Sequence, residues 1–419
     1  MSHVVGLRCP HCGTRFPIAP MHEGCPACTR PDFRSGLTPE YDLASVRERL
    51  EEGMALAGAG PGIWRYRTLL PLGDGSPEVS LGEGDTALVE LPMLAEELGA
   101  AGVWMKDESR NPTWSFKDRN AAVTVAMAVR FEARIVVASS SGNHGAAVSA
   151  YAARAGLECV VVTYPGISRT AANLIQAYGA RLAITTREGR WALLRSGVSE
   201  RGWYPATNFT EIPTSGAYGH EGYKTIAYEL HEQMGGVTPD LVVVPTAYAE
   251  GLFGIWKGFD ELVGLGLASS VPRFVAAEPA GGPLRIACEA GRLIARVEPQ
   301  PTIARGIGAA VNSYFGTLVL DRSGGLVAQA GDAEISRAQI DLARQGLFVE
   351  PAAAVGLAGL RRLAADGDIA RGARIVMIGT SAGLKNPGTL TAPIPGEIAP
   401  TLAAFDAAAG DAVAEPVGG

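Results

Sequence analysis

Short apolar runs alternate with amphipathic stretches along most of this chain. Ala133-Arg-Ile-Val-Val-Ala138, Cys159-Val-Val-Val-Thr163, Asp240-Leu-Val-Val-Val-Pro245 and Arg374-Ile-Val-Met-Ile-Gly379 are compact apolar segments. Unbroken runs of this length suit strands buried on both faces, which is the environment of a parallel sheet covered by crossover helices. Residues 146–156 read as helix, and the run at Cys159 begins fifteen residues after His144, as a βαβ unit requires. Helices are also expected over 121–129, through Trp256, and over 41–51. The pattern therefore predicts an α/β fold with two lobes of mainly parallel sheet flanked by helices. The repeating part extends over 81–395, with a smaller lobe near 115–215 inserted into a larger one. Residues 31–80 read as an approach segment broken at Gly58-Ala-Gly-Pro-Gly62, and 396–419 as a flexible tail rich in alanine and acidic residues.

The amino terminus departs from this rhythm. Cys9-Pro-His-Cys12 and Cys25-Pro-Ala-Cys28 are two Cys-x-x-Cys knuckles with twelve residues between them, which predicts a small zinc ribbon over 1–30. Disulfide pairing is the alternative, but Met1-Ser-His-Val-Val-Gly-Leu-Arg is too short and polar for a secretory leader, and a reducing cytoplasm is expected. His11 and His22 lie close enough in sequence to replace a thiolate, although four cysteines already complete a shell. Cys159 and Cys288 are expected to be buried thiols.

Composition narrows the function classes. With 419 residues and 53 glycines, the chain supports two or three domains and many turns. A net charge of -7, with only Arg8, Arg15 and Arg30 basic across the knuckles, argues against a nucleic-acid partner. No apolar run reaches the roughly eighteen residues of a membrane span. A homodimer is one option for the assembly.

The chemistry concentrates in the loops after the apolar runs. Lys117 follows Asn111-Pro-Thr-Trp-Ser-Phe116 at a turn that opens a helix, with Thr113 and Ser115 as candidate caps. A lysine partly desolvated there can reach the neutral form that condenses with an aldehyde; a solvated charged turn is the plainer reading. Ser139-Ser-Ser-Gly142-Asn143-His144-Gly145 places a polar glycine loop at the start of a helix, where backbone N–H groups favour a carboxylate. Thr246-Ala-Tyr-Ala-Glu-Gly251 and Thr380-Ser-Ala-Gly-Leu-Lys385 follow two further runs. In open α/β sheets ligands gather at the carboxyl ends of strands, so these loops make an active site the leading idea.

These blocks resemble a family. Lys106-Asp-Glu-Ser-Arg-Asn-Pro-Thr-Trp-Ser-Phe-Lys-Asp-Arg119, Ser140-Ser-Gly-Asn143, Gly222-Tyr-Lys-Thr-Ile-Ala227, Phe348-Val-Glu-Pro-Ala352 and Thr380-Ser-Ala-Gly-Leu-Lys-Asn-Pro387 are similar to threonine synthase. That family lies within the tryptophan-synthase-β-like, fold type II pyridoxal phosphate enzymes, and often carries a similar ribbon. The resemblance implies a lyase or synthase acting on a small amino acid, with Lys117 carrying pyridoxal phosphate and then moving protons at the substrate carbons. It implies further that Asn143 contacts the ring hydroxyl and Thr380 the ring nitrogen. The backbone of Ala247, Tyr248, Ala249, Glu250 and Gly251 would hold the cofactor phosphate, and Trp114, Ser140, Ser141, Gly142 and His144 would face the substrate.

Three positions depart from that family. Threonine synthases usually have glycine where Trp114 stands, threonine where His144 stands, and Gly-Asn-Ala-Gly-Asn where 247–251 stand. Ser-Ser-Gly-Asn-His-Gly is instead similar to serine and threonine ammonia-lyases of the same superfamily. His144 is either a proton carrier or a packed imidazole bonded to a carbonyl, and Trp114 either a pocket wall or a cover on the loop. Arg119 and Lys224 are candidate cations for the second phosphate of O-phosphohomoserine. Trp114 and His144 would favour a smaller substrate with a β leaving group, as in cysteate or cysteine synthases. A non-catalytic protein that keeps the fold for binding is the alternative of another class.

Overall fold

The computed structural model describes residues 3–73, 75–387, 390–391, 396–408 and 415–416. Strands β1 (Val4–Arg8), β2 (Arg15–Phe16) and β3 (Thr38–Tyr41) form an antiparallel sheet in the order β2-β1-β3. Helix α1 (Leu43–Glu51) starts two residues later than expected, because Tyr41 belongs to β3 and the Asp42 side chain caps the helix by accepting the Ser45 N–H.

Strand β4 (Leu88–Glu90), α2 (Pro92–Leu98) and β5 (Gly102–Asp107) begin the larger sheet. The chain then passes through α3 (Lys117–Arg130), β6 (Ile135–Ser139), α4 (Asn143–Arg154), β7 (Glu158–Thr163), α5 (Arg169–Ala177), β8 (Arg181–Ile184), α6 (Gly189–Arg201) and β9 (Tyr204–Pro205). These four strands form their own parallel sheet, ordered β8-β7-β6-β9. The larger sheet resumes with α7 (His220–Gln233), β10 (Leu241–Pro245), α8 (Glu250–Gly264), β11 (Arg273–Pro279), α9 (Pro283–Glu289), α10 (Tyr314–Ser323), β12 (Leu326–Ala330), α11 (Asp332–Arg344), α12 (Pro351–Ala365) and β13 (Arg374–Gly379). Its order is β12-β11-β10-β13-β5-β4, parallel except for the β4 edge.

The apolar runs are explained by what covers them. In β10, Val242 and Val244 enter a core with Tyr223, Leu252 and Phe259 from α7 and α8, whereas Leu241 and Val243 enter a second core with Val355 and Leu357 of α12. Each strand position thus needs an apolar side chain whichever way it points. Burial of one such Val or Leu contributes about 1.5–3 kcal/mol. In the smaller sheet Val136 and Val161 face one core and Val137, Val160 and Val162 another.

One expectation changes. Cys159 is buried, but Cys288 is exposed: α9 turns Leu284 and Ala287 inward, and the next residue rotates away. Within residues 396–419, α13 (Leu402–Ala408) is helical and β15 (Glu415–Pro416) pairs antiparallel with β14 (Leu390–Thr391), which precedes them. Residues 409–414 and 417–419 of the segment expected to be a flexible tail lie outside the described residues.

Candidate active site

The loop that carries Lys117 is clipped to the far end of the chain. Phe116 N–H donates to Thr380 O (2.9 Å), Ala382 N–H donates to Trp114 O (3.1 Å), and Ser115 forms a bridge with Ser381. Lys385 Nζ adds a bond to Thr113 O (2.6 Å). The loop after β13 and the loop before α3 are therefore one unit at the carboxyl ends of the strands. Thr113 and Ser115 do not cap the helix as expected. Phe116 is its N-cap residue without a side-chain bond, and Asp118 reaches back to accept from Thr113 N (2.9 Å) and Thr113 Oγ1 (2.8 Å).

Lys117 Nζ lies 4.8 Å from the centroid of the Phe116 ring and 5.5 Å from that of Tyr223, and it has no hydrogen bond or ion pair among the described residues. Burial pushes its pKa down, while Glu250 and Glu350 act in the opposite sense. An amine in these surroundings loses its proton more readily than a solvated lysine.

Two loops rich in free N–H groups flank it. Between β6 and α4, Ser140 N–H is used by Val162 O and Gly142 N–H by Ser140 Oγ, but Ser141, Asn143 and His144 donate to no described group through the backbone. Between β10 and α8, none of the N–H groups of 247–251 has an acceptor among the described residues. Ser313 Oγ pins this second loop by donating to Tyr248 O (2.6 Å). Ala249 holds a left-handed φ of 59°, and a Cβ at Gly251 would stand 2.8 Å from Phe116 Cε2, so that position tolerates only glycine without movement. The positive end of α8 reinforces the anion preference. Glu250, in the first turn of α8, acts on Lys117 and His144 electrostatically.

The residues present fit pyridoxal phosphate. The cofactor needs an amine that can be neutral, several donors for its phosphate, and polar partners for its ring. Lys117, the 247–251 backbone, Asn143 and the buried Thr380, whose hydroxyl makes no hydrogen bond to the described chain, meet these needs.

The remaining candidates are placed as follows: His144 takes one of its two expected arrangements, whereas Arg119 and Lys224 differ from expectation. Trp114 is 47% exposed with a φ of 61°. His144 Nε2 lies 2.5 Å from Ala206 O, and its Nδ1 is buried without a partner. Burial and Lys117 both lower the His144 pKa, so the ring is neutral and bonded to a carbonyl. Arg119 and Lys224 are not available to a substrate phosphate. Arg119 is wholly buried between Glu108 (2.8 Å) and Glu229 (2.7 Å), and Lys224 is buried against Glu221 (2.6 Å) and Glu261 (3.1 Å).

Glu350 is the residue that sequence reasoning left without a role. Its carboxylate accepts from Asn143 Nδ2 (2.7 Å) and Asn386 Nδ2 (3.1 Å), and burial pushes its pKa up. Phe348-Val-Glu-Pro-Ala352 entered the sequence reading only as one block of the resemblance. Here the Glu350 side chain makes no capping bond and orients Asn143 instead.

The four ribbon cysteines converge. Their sulfur atoms lie within 4.8 Å of one another, with Cys9 to Cys28 at 3.7 Å and Cys12 to Cys25 at 3.6 Å. A tetrahedral shell with metal–sulfur bonds of about 2.3 Å requires sulfur separations of about 3.8 Å, so this cluster can hold one metal ion. His11 packs instead against Phe33 and Tyr314, and His22 against Tyr204.

Comparison with known proteins agrees with this geometry. The family model described as "Pyridoxal-phosphate dependent enzyme" matches residues 79–381. Threonine synthase of Methanocaldococcus jannaschii is 34% identical over 390 residues, covering 91% of this chain and 93% of its own. That of Methanosarcina acetivorans is 33% identical over 394 residues, covering 92% and 93%. Among solved structures, maize serine racemase superposes with a TM-score of 0.62 at 23% identity, over 71% of this chain and 88% of that one. Diaminopropionate ammonia lyase from Escherichia coli gives 0.61 at 22% identity, over 72% and 85%. The chain belongs to the pyridoxal-phosphate dependent enzyme family, as a fold type II member related to threonine synthase.

Proposed function

We propose that this protein is a lyase or synthase of the threonine synthase type, converting O-phosphohomoserine to threonine or acting on a closely related amino acid. The observation that carries this reading is the Lys117 amine, buried and unpaired between two loops with free N–H groups. When bound, pyridoxal phosphate supplies an electron sink beside the substrate α-carbon. Lys117 would hold the cofactor, and its amine would move protons at the substrate α- and β-carbons. The 247–251 backbone holds the cofactor phosphate, Asn143, oriented by Glu350, meets the ring hydroxyl, and Thr380 meets the ring nitrogen. A hydroxyl there does not keep the nitrogen protonated as a carboxylate would, which favours elimination or replacement over transamination. Ser140, Ser141, Gly142 and the His144 backbone receive the substrate carboxylate. The ribbon thiolates hold zinc in a structural role.

A second reading, β-elimination on a serine- or threonine-like substrate, draws on the imidazole at His144 and its free Nδ1. Reconstitution with pyridoxal phosphate followed by a screen of amino acids decides between them. Visible absorbance that is lost in Lys117→Ala, with threonine formed from O-phosphohomoserine, is the expected result. Release of ammonia from serine with no threonine formed selects the second reading, and a protein that stays colourless with added cofactor overturns both.

A further inference from the structure

His144 and Glu250 come from the two loops that flank Lys117, and both line one cavity. Asn120 and Thr124 of α3 and Thr207, two residues past β9, add polar side chains to its wall. The space open there to the centre of a water molecule is about 10 Å³, close to what a single water needs. Gly216, also in the lining, follows Ser215, a buried residue held at a left-handed φ of 58° whose Oγ has no partner among the described residues. Strained backbone of this kind collects at functional sites.

The surroundings of His144 fix its tautomer. A carbonyl oxygen only accepts, so the 2.5 Å contact between Nε2 and Ala206 O requires the ring proton on Nε2. In the neutral ring Nδ1 therefore carries the free lone pair. That atom is buried and has no hydrogen-bond partner among the described residues. An unmatched buried acceptor is unfavourable, and a water held by several polar neighbours removes the penalty. Lys117 opposes a charge on the ring, whereas Glu250, facing the same cavity, favours it. Nδ1 is thus free at rest, and an imidazolium formed during a chemical step has a carboxylate to steady it.

We propose that this cavity seats the water that adds to the substrate, that His144 Nδ1 is the base that deprotonates it, and that the β-hydroxyl group of the product lies beside Nδ1. The inference rests on the reading of the protein as a synthase acting on O-phosphohomoserine or a close relative. Once phosphate has left and the γ-carbon has been protonated, the amino acid is unsaturated between its α- and β-carbons. One O–H bond of the water breaks, its proton goes to Nδ1, and its oxygen bonds to the β-carbon. The electron pair of the double bond moves to the α-carbon, which takes a proton from the Lys117 ammonium. The imidazolium then gives its proton to the Lys117 amine, so both groups end as they began and the net change is the addition of one water.

His144→Gln tests the assignment, because glutamine keeps a donor for Ala206 O and removes Nδ1. With the holoenzyme and O-phosphohomoserine, the ratio of threonine to 2-oxobutanoate is expected to fall about a hundredfold in this variant, threonine formation dropping far more than phosphate release. An unsaturated amino acid that is not hydrated in the site leaves it and hydrolyses to the keto acid. A packing role for the ring would slow both products together and leave the ratio unchanged. Binding gives a readout without turnover. Titration of the holoenzyme should show threonine binding about three- to tenfold more tightly than 2-aminobutanoate, which lacks only the hydroxyl, and His144→Gln should abolish the preference. A product ratio unchanged in His144→Gln, or a hydroxyl preference that is absent or survives the substitution, overturns the assignment. Native holoenzyme that releases no phosphate from O-phosphohomoserine, yet shows the His144-dependent preference, keeps the hydroxyl site and overturns the reading on which it rests.

Discussion

Lys117 and Arg119 stand two residues apart on α3 and bury their charges in opposite ways. Arg119 is surrounded by acceptors: Glu108, Glu229, Thr225 and Thr86 all bond its guanidinium, and Lys106 shares Glu229 at 2.6 Å. Burial opposes the Arg119 charge, but Glu108 and Glu229 more than compensate, and the pKa rises well above its usual value. Lys117 has two aromatic faces for neighbours and no bonded acceptor, so its pKa falls. A charge whose demands are met within the chain supports the fold, and one left open awaits a ligand. The ribbon thiols, gathered within 4.8 Å of one another, belong with Lys117 on the open side of this division.

If that division is sound, removing an open group or its ligand should affect binding, whereas breaking a closed group should affect folding. The largest effect is expected at the ribbon. Structural zinc contributes on the order of 10 kcal/mol to small domains built around it, so Cys12→Ser should release the metal and loosen the first thirty residues. Metal analysis and proteolysis check this, with cofactor absorbance largely retained; full zinc content in the variant would place Cys12 outside the shell.

The sharpest contrast is between the two cations themselves. Arg119→Met leaves Glu108 and Glu229 buried with too little positive charge, and should cost about 3–5 kcal/mol in urea unfolding. Lys117→Met removes an unpaired buried amine and should cost far less, while cofactor absorbance disappears. Equal losses of stability in the two variants would break the comparison.

The smallest effect is expected at Trp114. A bulky residue in the left-handed region costs roughly 1–2 kcal/mol, so Trp114→Gly should raise the unfolding free energy by about that amount before the loss of unfolded-chain restriction offsets about 0.5–1 kcal/mol of it. Destabilisation by more than 1 kcal/mol would instead show that the indole makes contacts worth more than the strain.

Sequence legibility followed the same division. The strands at β6, β7, β10 and β13 were readable because both of their faces are buried, which writes itself as an unbroken apolar run. Lys117 and the two anion-favouring loops were readable because the signals are local: a lysine at a helix start and glycine-bearing turns at strand ends. Arg119 and Lys224 were misread as free cations because their partners arrive from distant elements, Glu229 from α7 and Glu261 from α8. Glu350 was hidden for the same reason, since Asn143 lies 207 positions earlier.

The clip between the loop before α3 and the loop after β13 also bears on when this enzyme becomes active during its synthesis. Phe116 finds its acceptor only at Thr380, and Thr113 receives Lys385 from later still. At about 5–20 residues per second, a ribosome that has made Lys117 works for roughly ten to fifty seconds more before the clip can close. Through that interval the lysine is an ordinary side chain on an incomplete sheet. The clipped loop that carries Lys117 therefore forms only after Lys385 has been made.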